Sequence, residues 1–212
     1  MSETKHGKSW VLSIPRLTLA ALEHSALEVA PNLLGCILVS CSATDGQITA
    51  GMITETEAYG GPNDEASHGY RGKTVRNSSF FLPRGHFYVY RSYGIHHCVN
   101  ITTGDVLLKK HAEGVLIRAL FPVEGIDTMR RRRGKDHTFP ISKLTAGPGM
   151  VTQALCISIE HDGLPLKNAT SLWITQPIRV FIKDAITITP RIGITKSQEL
   201  NWRFRLQATS TN

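Results

Sequence analysis

Cys36 to Tyr59 reads C-I-L-V-S-C-S-A-T-D-G-Q-I-T-A-G-M-I-T-E-T-E-A-Y. Two apolar runs, Cys36 to Cys41 and Ile48 to Thr56, flank a polar segment whose Asp45-Gly46 step is a strong hairpin signal. The spacing predicts an antiparallel pair, and the second strand carries Glu55 and Glu57 at its end. Residues two apart on a strand share a face, so both carboxylates point to one side.

Downstream of this hairpin, residues 60–85 hold much Gly, Asn, Ser and Arg and little apolar periodicity, which predicts a long functional loop. Phe80-Phe81-Leu82 is expected to anchor its middle in the core. Further strands are expected over His86 to Tyr90, Ile95 to Thr102, Gly114 to Leu120, Leu172 to Thr175 and Ile178 to Ile182, with a closing run from Pro190 to Leu206. Tyr93-Gly94 reads as a turn. Helical patterns cover Thr18 to Glu28, Glu124 to Arg133 and the stretch after Gly147-Pro148-Gly149. Gly104 to Gly114 reads as an insertion. Residues 1–16 read as a loose tail and 17–212 as one domain. The expected class is α+β: a single mixed domain dominated by antiparallel strands, with helices around it.

The 24 Lys and Arg against 17 Asp and Glu leave a net charge of +7, which favours a polyanionic partner. Cys36, Cys41, Cys98 and Cys156 lack zinc-type pairing, and neither a secretory leader nor an apolar run of membrane-spanning length is visible. A reduced, soluble, cytoplasmic protein is the expectation, without a membrane partner. Cys98, inside an apolar strand, reads as core.

Glu55 and Glu57, if close, raise the pKa of one of them and suit it to general-base work, or else form a salt-bridged sheet edge. Asp64 and Glu65 read as loop acids. His68 lies in the same polar loop as a candidate base, ligand or pocket donor. His96 and His97 face opposite sides of a strand, so they do not build a metal site. Tyr88 and Tyr90 share a strand face, whereas core packing explains Tyr93 poorly. An aromatic ring at a tight turn of a basic protein suits insertion into a base stack. Arg130 to Arg133 is either a solvated face or a phosphate-binding run.

Taken together, E-T-E-A-Y and G-P-x-D-E-A-x-H, Y-V-Y-x-x-Y-G, Asn100, V-L-I-R-A-L, L-T-x-G-P-G and P-R-I-G-I occur in this order over nearly the whole chain. This series resembles the alkyladenine (3-methyladenine, methylpurine) DNA glycosylases, which implies that family's single mixed domain with a curved antiparallel β-sheet and surrounding helices. The resemblance implies a monofunctional, monomeric base excision repair enzyme that needs no metal or cofactor. It would flip alkylated or deaminated purines from duplex DNA and hydrolyse the N-glycosidic bond. Candidate bases are 3-methyladenine and 7-methylguanine, with hypoxanthine and ethenoadenine beyond them.

Residue by residue, the resemblance implies that Glu57 activates water and that Tyr59, His68 and Tyr90 sandwich the base. The Ala66 backbone and His68 read the base edge, Asn100 disfavours the guanine amino group, and Tyr93 fills the gap in the duplex. Arg118 lies near the target phosphate, and Arg130, Arg131 and Arg133 are the candidate contacts along the backbone. Three features depart from the family pattern: Met150 where lysine is usual, His97 where an apolar residue is common, and a longer 104–114 segment. The rival readings are a non-catalytic nucleic-acid-binding module of the same fold type, for which a carboxylate behind an intercalating ring has no use, and a carboxylate-pair glycoside hydrolase, which a basic surface does not suit.

Overall fold

The computed structural model describes residues 9–104, 111–178 and 183–207. Its frame is an antiparallel sheet in the order β3-β4-β5-β2-β1-β6, with β8 pairing β2 and β7. The strands are β1 (Ile37–Cys41), β2 (Ile48–Gly60), β3 (Phe87–Ser92), β4 (His96–Thr102), β5 (Glu113–Glu124), β6 (Leu172–Ile174), β7 (Ile186–Thr189) and β8 (Arg203–Leu206). Helices α1 (Ala26–Asn32), α2 (Ile126–Arg132) and α3 (Pro148–Leu155) pack around it.

β2 is the spine. One edge pairs with β5, while the other pairs first with β1 and then with β8. The Asp45-Gly46 hairpin forms as the sequence predicts, with Gly46 at φ 65° and its N–H bonded to the Ser42 carbonyl. The second strand, expected to end at Thr56, runs on to Gly60, because β5 and β8 supply ladder partners that a hairpin alone lacks. Both glutamates therefore sit within the strand and not at its end. Register shifts at Ala50/Gly51, Ile53/Glu55 and Glu55/Thr56 mark bulges, which add twist and curl the sheet around the site.

β1, β3, β4 and β6 match their expected positions closely, β5 extends well beyond Gly114 to Leu120, β8 occupies only the end of the closing run Pro190 to Leu206, and β7 is not among the expected strands. The predicted strand Ile178 to Ile182 falls largely outside the described residues, as do most of the 104–114 segment and the first eight residues. Of the expected tail, the part from Val11 onward belongs to the domain. Val11 is wholly buried, and Arg16 bridges Thr175 beside the outer strand β6. Arg16 also donates to the Ala169 carbonyl (2.6 Å) and lies 4.8 Å from the Trp173 ring centroid.

The single helix expected over Thr18 to Glu28 is divided. Leu19–Leu22 makes one tight turn, and α1 then starts afresh at a Ser25/Glu28 capping box. That box satisfies both end N–H groups, so the chain restarts there instead of continuing. At α2, Gly125 stands outside the helix at φ 71°, and a Cβ there would lie 2.4 Å from the Ile48 carbonyl oxygen. The main core lies between the sheet and the helices. A smaller cluster of Phe80, Tyr88 and Ala112, with Tyr59, Phe81 and Tyr90 packed on it, underlies the long loop.

Candidate active site

A cleft of about 570 Å³ opens where β2, β3, β4 and β5 meet the 60–68 loop and the 192–196 segment. Glu55, Glu57 and Tyr59 alternate along β2 and turn toward it. Across the ladder, Glu55 pairs with Ala119 and Thr56 with Ile117, so the register skips Arg118. That bulge aims the Arg118 guanidinium at both glutamates, with Nε 2.7 Å from Glu55 and 3.5 Å from Glu57. Arg203 of β8 closes on Glu55 from the far side at 2.7 Å. Two like charges on one face are thus balanced by two guanidiniums.

Glu57 is wholly buried. It accepts hydrogen bonds from the Tyr59 hydroxyl and the Ile192 N–H, each at 2.9 Å. Burial raises its pKa above the ordinary glutamate value, against the opposing pull of Arg118 and these two donors. A carboxyl tuned upward, yet surrounded by donors that favour its anion, is suited to accept a proton near neutral pH.

Aromatic groups wall the cleft. His68 and Tyr90 meet edge to face with centroids 4.4 Å apart, and His68 Nδ1 lies 2.7 Å from the Tyr88 hydroxyl. Desolvation, with the Arg76 cation adding to it, lowers the His68 pKa, so the ring is held neutral. Burial raises the Tyr59, Tyr88 and Tyr90 hydroxyl pKa values, which keeps all three phenols protonated. Asn100 is buried at the floor and donates from Nδ2 to the Tyr88 carbonyl at 3.0 Å. Asn77 ties the long loop together, since its side chain bonds Thr74 and the carbonyls of His68 and Gly72. Tyr93 stands at the rim, 89 % exposed, at φ 48°.

The match to known proteins covers this same assembly. The model of the methylpurine-DNA glycosylase family aligns with residues 20–210. The chain belongs to this family. A relative from Methanoculleus marisnigri, named "Putative 3-methyladenine DNA glycosylase", is 44% identical over 193 residues, which is 90% of this chain and 95% of the relative. A second of the same name, from Carboxydothermus hydrogenoformans, is 44% identical over 85% of this chain and 90% of its own length. A third, from Rhodopseudomonas palustris, is 45% identical over 91% of this chain and 88% of its own length. The chain is accordingly a DNA glycosylase, a hydrolase of base excision repair. No helix among the described residues is long and apolar enough to cross a membrane.

In this member of the family, the cleft gathers Glu57, Tyr59, Ala66, His68, Tyr90, Tyr93, Asn100 and Arg118, all singled out from sequence. The Ala66 N–H, however, is already bonded to the Asp64 side chain (3.1 Å). Arg118 sits among the carboxylates at the cleft, only 15% exposed. The Arg130 to Arg133 run does not line the cleft, and much of it bonds within the chain. Arg130 pairs with Asp127, Arg131 donates to Thr128, Arg132 to Asp45, and Arg133 to the carbonyls of Lys143 and Leu144. Arg130, Arg132 and Arg133 thus tie α2 and its end to neighbouring segments, while Arg131 bonds within the helix and stays exposed.

The cations at the mouth of the cleft are instead Arg76, Arg91 and Lys196. The Arg76 and Arg91 side chains make no hydrogen bond or ion pair among the described residues, whereas Lys196 faces Glu65 at 3.7 Å. Nothing in the sequence separated Arg76 and Arg91 from other arginines, because their placement depends on the loop and the β3–β4 turn. The Tyr88 hydroxyl and the Ile192 N–H were also missed as site groups. Both lie in motifs visible in the sequence, Tyr88 in Y-V-Y-x-x-Y-G and Ile192 in P-R-I-G-I. Met150 is 41% exposed, and His97, pairing with Arg91 across the ladder, stays outside the cleft.

Proposed function

We propose that this enzyme excises alkylated purines, 3-methyladenine and 7-methylguanine foremost, from duplex DNA by hydrolysis with a water activated by Glu57. The observation that carries this reading is a wholly buried carboxylate of raised pKa at the base of an aromatic cleft with a solvent-exposed tyrosine on its rim.

The damaged nucleotide turns out of the duplex and its base enters between Tyr59, His68 and Tyr90. Extrusion costs a few kcal/mol, least for a damaged base. Stacking at about 1–3 kcal/mol per base, together with Tyr93 filling the vacated step, offsets that cost. Glu57 takes a proton from water as the water oxygen bonds to C1′, and the C1′–N bond breaks with its electron pair leaving on the purine. Alkylation gives these purines a positive charge, so they leave as neutral bases, and the π faces around them attract the cation. Asn100, on the floor, disfavours a guanine amino group, a cost that unmodified guanine bears in full and that the cationic leaving group of 7-methylguanine outweighs. Arg76, Arg91 and Lys196 face the phosphates on either side, and one chain supplies every group. The products are a free base and an intact abasic site.

Release of free base from oligonucleotides, each carrying one defined lesion, tests the reading. Excision of 3-methyladenine and 7-methylguanine is expected. Failure to release any alkylated purine from duplex DNA would refute it.

A further inference from the structure

Behind the cleft, Asp64 and Arg191 form an ion pair with both side chains wholly buried. Arg191 Nη1 and Nη2 each lie 2.7 Å from a different Asp64 carboxylate oxygen. Neither residue lines the cleft. Their remaining bonds all end on backbone that does, or on backbone next to it. Asp64 accepts from the Gly60 N–H (3.0 Å) and the Ala66 N–H (3.1 Å), which fixes the turn leading into the loop. Arg191 donates to the Ala58 carbonyl (2.9 Å), and its guanidinium lies 4.5 Å from the Tyr59 ring centroid and 5.1 Å from that of Trp202. The next residue, Ile192, places its N–H 2.9 Å from Glu57 Oε1. A parallel crosslink runs from the Glu65 N–H to Ser197 Oγ at 3.1 Å.

A buried ion pair is a weak device for stability, since desolvation offsets its attraction and a well-packed apolar pair does as well or better. It is an effective device for register, because a bidentate fork admits one geometry. We propose that Asp64 and Arg191 are positioning residues that register the 190–197 segment against β2 and its loop, holding the Ile192 N–H on Glu57. The inference rests on Glu57 being the base. Glu57 is faced by Glu55 and Tyr59 from β2, Arg118 from β5, Cys98 from β4 and the Ile192 N–H, with Arg203 of β8 on Glu55. The Ile192 donor sits on the residue next to Arg191, and the Tyr59 donor lies between the Ala58 and Gly60 bonds of the clamp with its ring against the Arg191 guanidinium. Losing the Ile192 donor, or loosening both, weakens the anion, so Glu57 titrates at higher pH.

Arg191→Lys keeps the charge but loses the fork and the Ala58 bond. The titration of Glu57 is followed by carbon-13 NMR of labelled glutamate, its signal assigned by its loss in Glu57→Gln. In parallel, single-turnover excision of 7-methylguanine is measured against pH below the melting point of each variant. The expectation is a titration midpoint raised on the order of one pH unit. The acid limb of the rate profile should move with it, the rate at neutral pH should fall on the order of 10–100-fold, and affinity for lesion duplex should change little. Arg132→Lys, which loosens the Arg132–Asp45 pair away from the cleft, should lower thermal stability and move neither readout. A folded Arg191→Lys whose Glu57 titration is unmoved overturns the clamp. A raised titration with an unmoved acid limb leaves the clamp standing and removes Glu57 from the role of base. Should Arg191→Lys not fold, the charge-free pair Asp64→Asn with Arg191→Gln gives the same readout without a buried lone charge.

Discussion

Glu57→Gln separates chemistry from architecture at this site. The amide oxygen can still accept the Ile192 N–H, and the Tyr59 hydroxyl can accept from the new NH₂ where it formerly donated. Arg118 keeps Glu55 at 2.7 Å. Shape and most bonds survive, while the Glu55–Glu57–Arg118–Arg203 cluster goes from neutral to a charge of +1. The variant therefore loses the proton acceptor and also opposes the positive charge that develops at C1′. A loss toward the upper end of the usual range for a general base, ~10⁴-fold, is expected, equivalent to about 5.4 kcal/mol of barrier.

Stability should move the other way. Burial raises the Glu57 pKa above its unfolded value. The stability linked to this group is thus present below the unfolded pKa of about 4.3 and lost as pH rises through the folded one. Glutamine does not titrate, so the variant should melt above wild type at neutral pH, with the advantage shrinking as pH falls. The assay is single-turnover release of 7-methylguanine with enzyme in excess, beside lesion-duplex binding and thermal melts at two pH values. Excision by Glu57→Gln within tenfold of wild type would refute the reasoning and direct attention to Glu55.

Tyr93→Ala should leave stability unchanged, because the ring is 89 % exposed, yet weaken lesion-duplex binding by about 5- to 150-fold, the worth of one stacked base. Equal losses on a single-stranded lesion would make Tyr93 a pocket wall instead of a plug. Arg76→Gln and Arg91→Gln should each flatten the plot of log K against log salt by roughly one unit, whereas Arg131→Gln should not; the opposite pattern would return phosphate binding to the run on α2. Arg133→Ala removes donors to the Lys143 and Leu144 carbonyls and should cost roughly 1–3 kcal/mol in a denaturant melt, with excision retained. Borohydride should trap no protein–DNA adduct, since an abasic product made by water involves no Schiff base. A robust adduct would put a lysine in place of Glu57 as the attacking partner.

Much of the molecule is legible in the chain because the signals are local. Asp45-Gly46 between two apolar runs specifies a hairpin, two-residue spacing puts Glu55, Glu57 and Tyr59 on one face, and Tyr93-Gly94 makes a turn with nowhere to hide an aromatic ring. The collinear motifs then identify the family and, with it, the cleft residues. What the chain could not disclose depends on partners far away in sequence. β2 continues to Gly60 because β5 pairs with it as far as Gly60 and β8 pairs with Glu55 to Glu57, a meeting that the Arg203–Glu55 contact across 148 residues records. Arg118 reaches both glutamates because the ladder with β5 skips it. The Arg130 to Arg133 run read as either a solvated face or a phosphate-binding run, since charge is visible in sequence while the carboxylates and carbonyls that Arg130, Arg132 and Arg133 bond are not. Asp64 and Arg191 lie 127 residues apart and join only in the folded core. Composition and spacing determine which groups are available and which face each one takes; the closure of the sheet determines which of them meet, because only burial turns such a meeting into a fixed geometry.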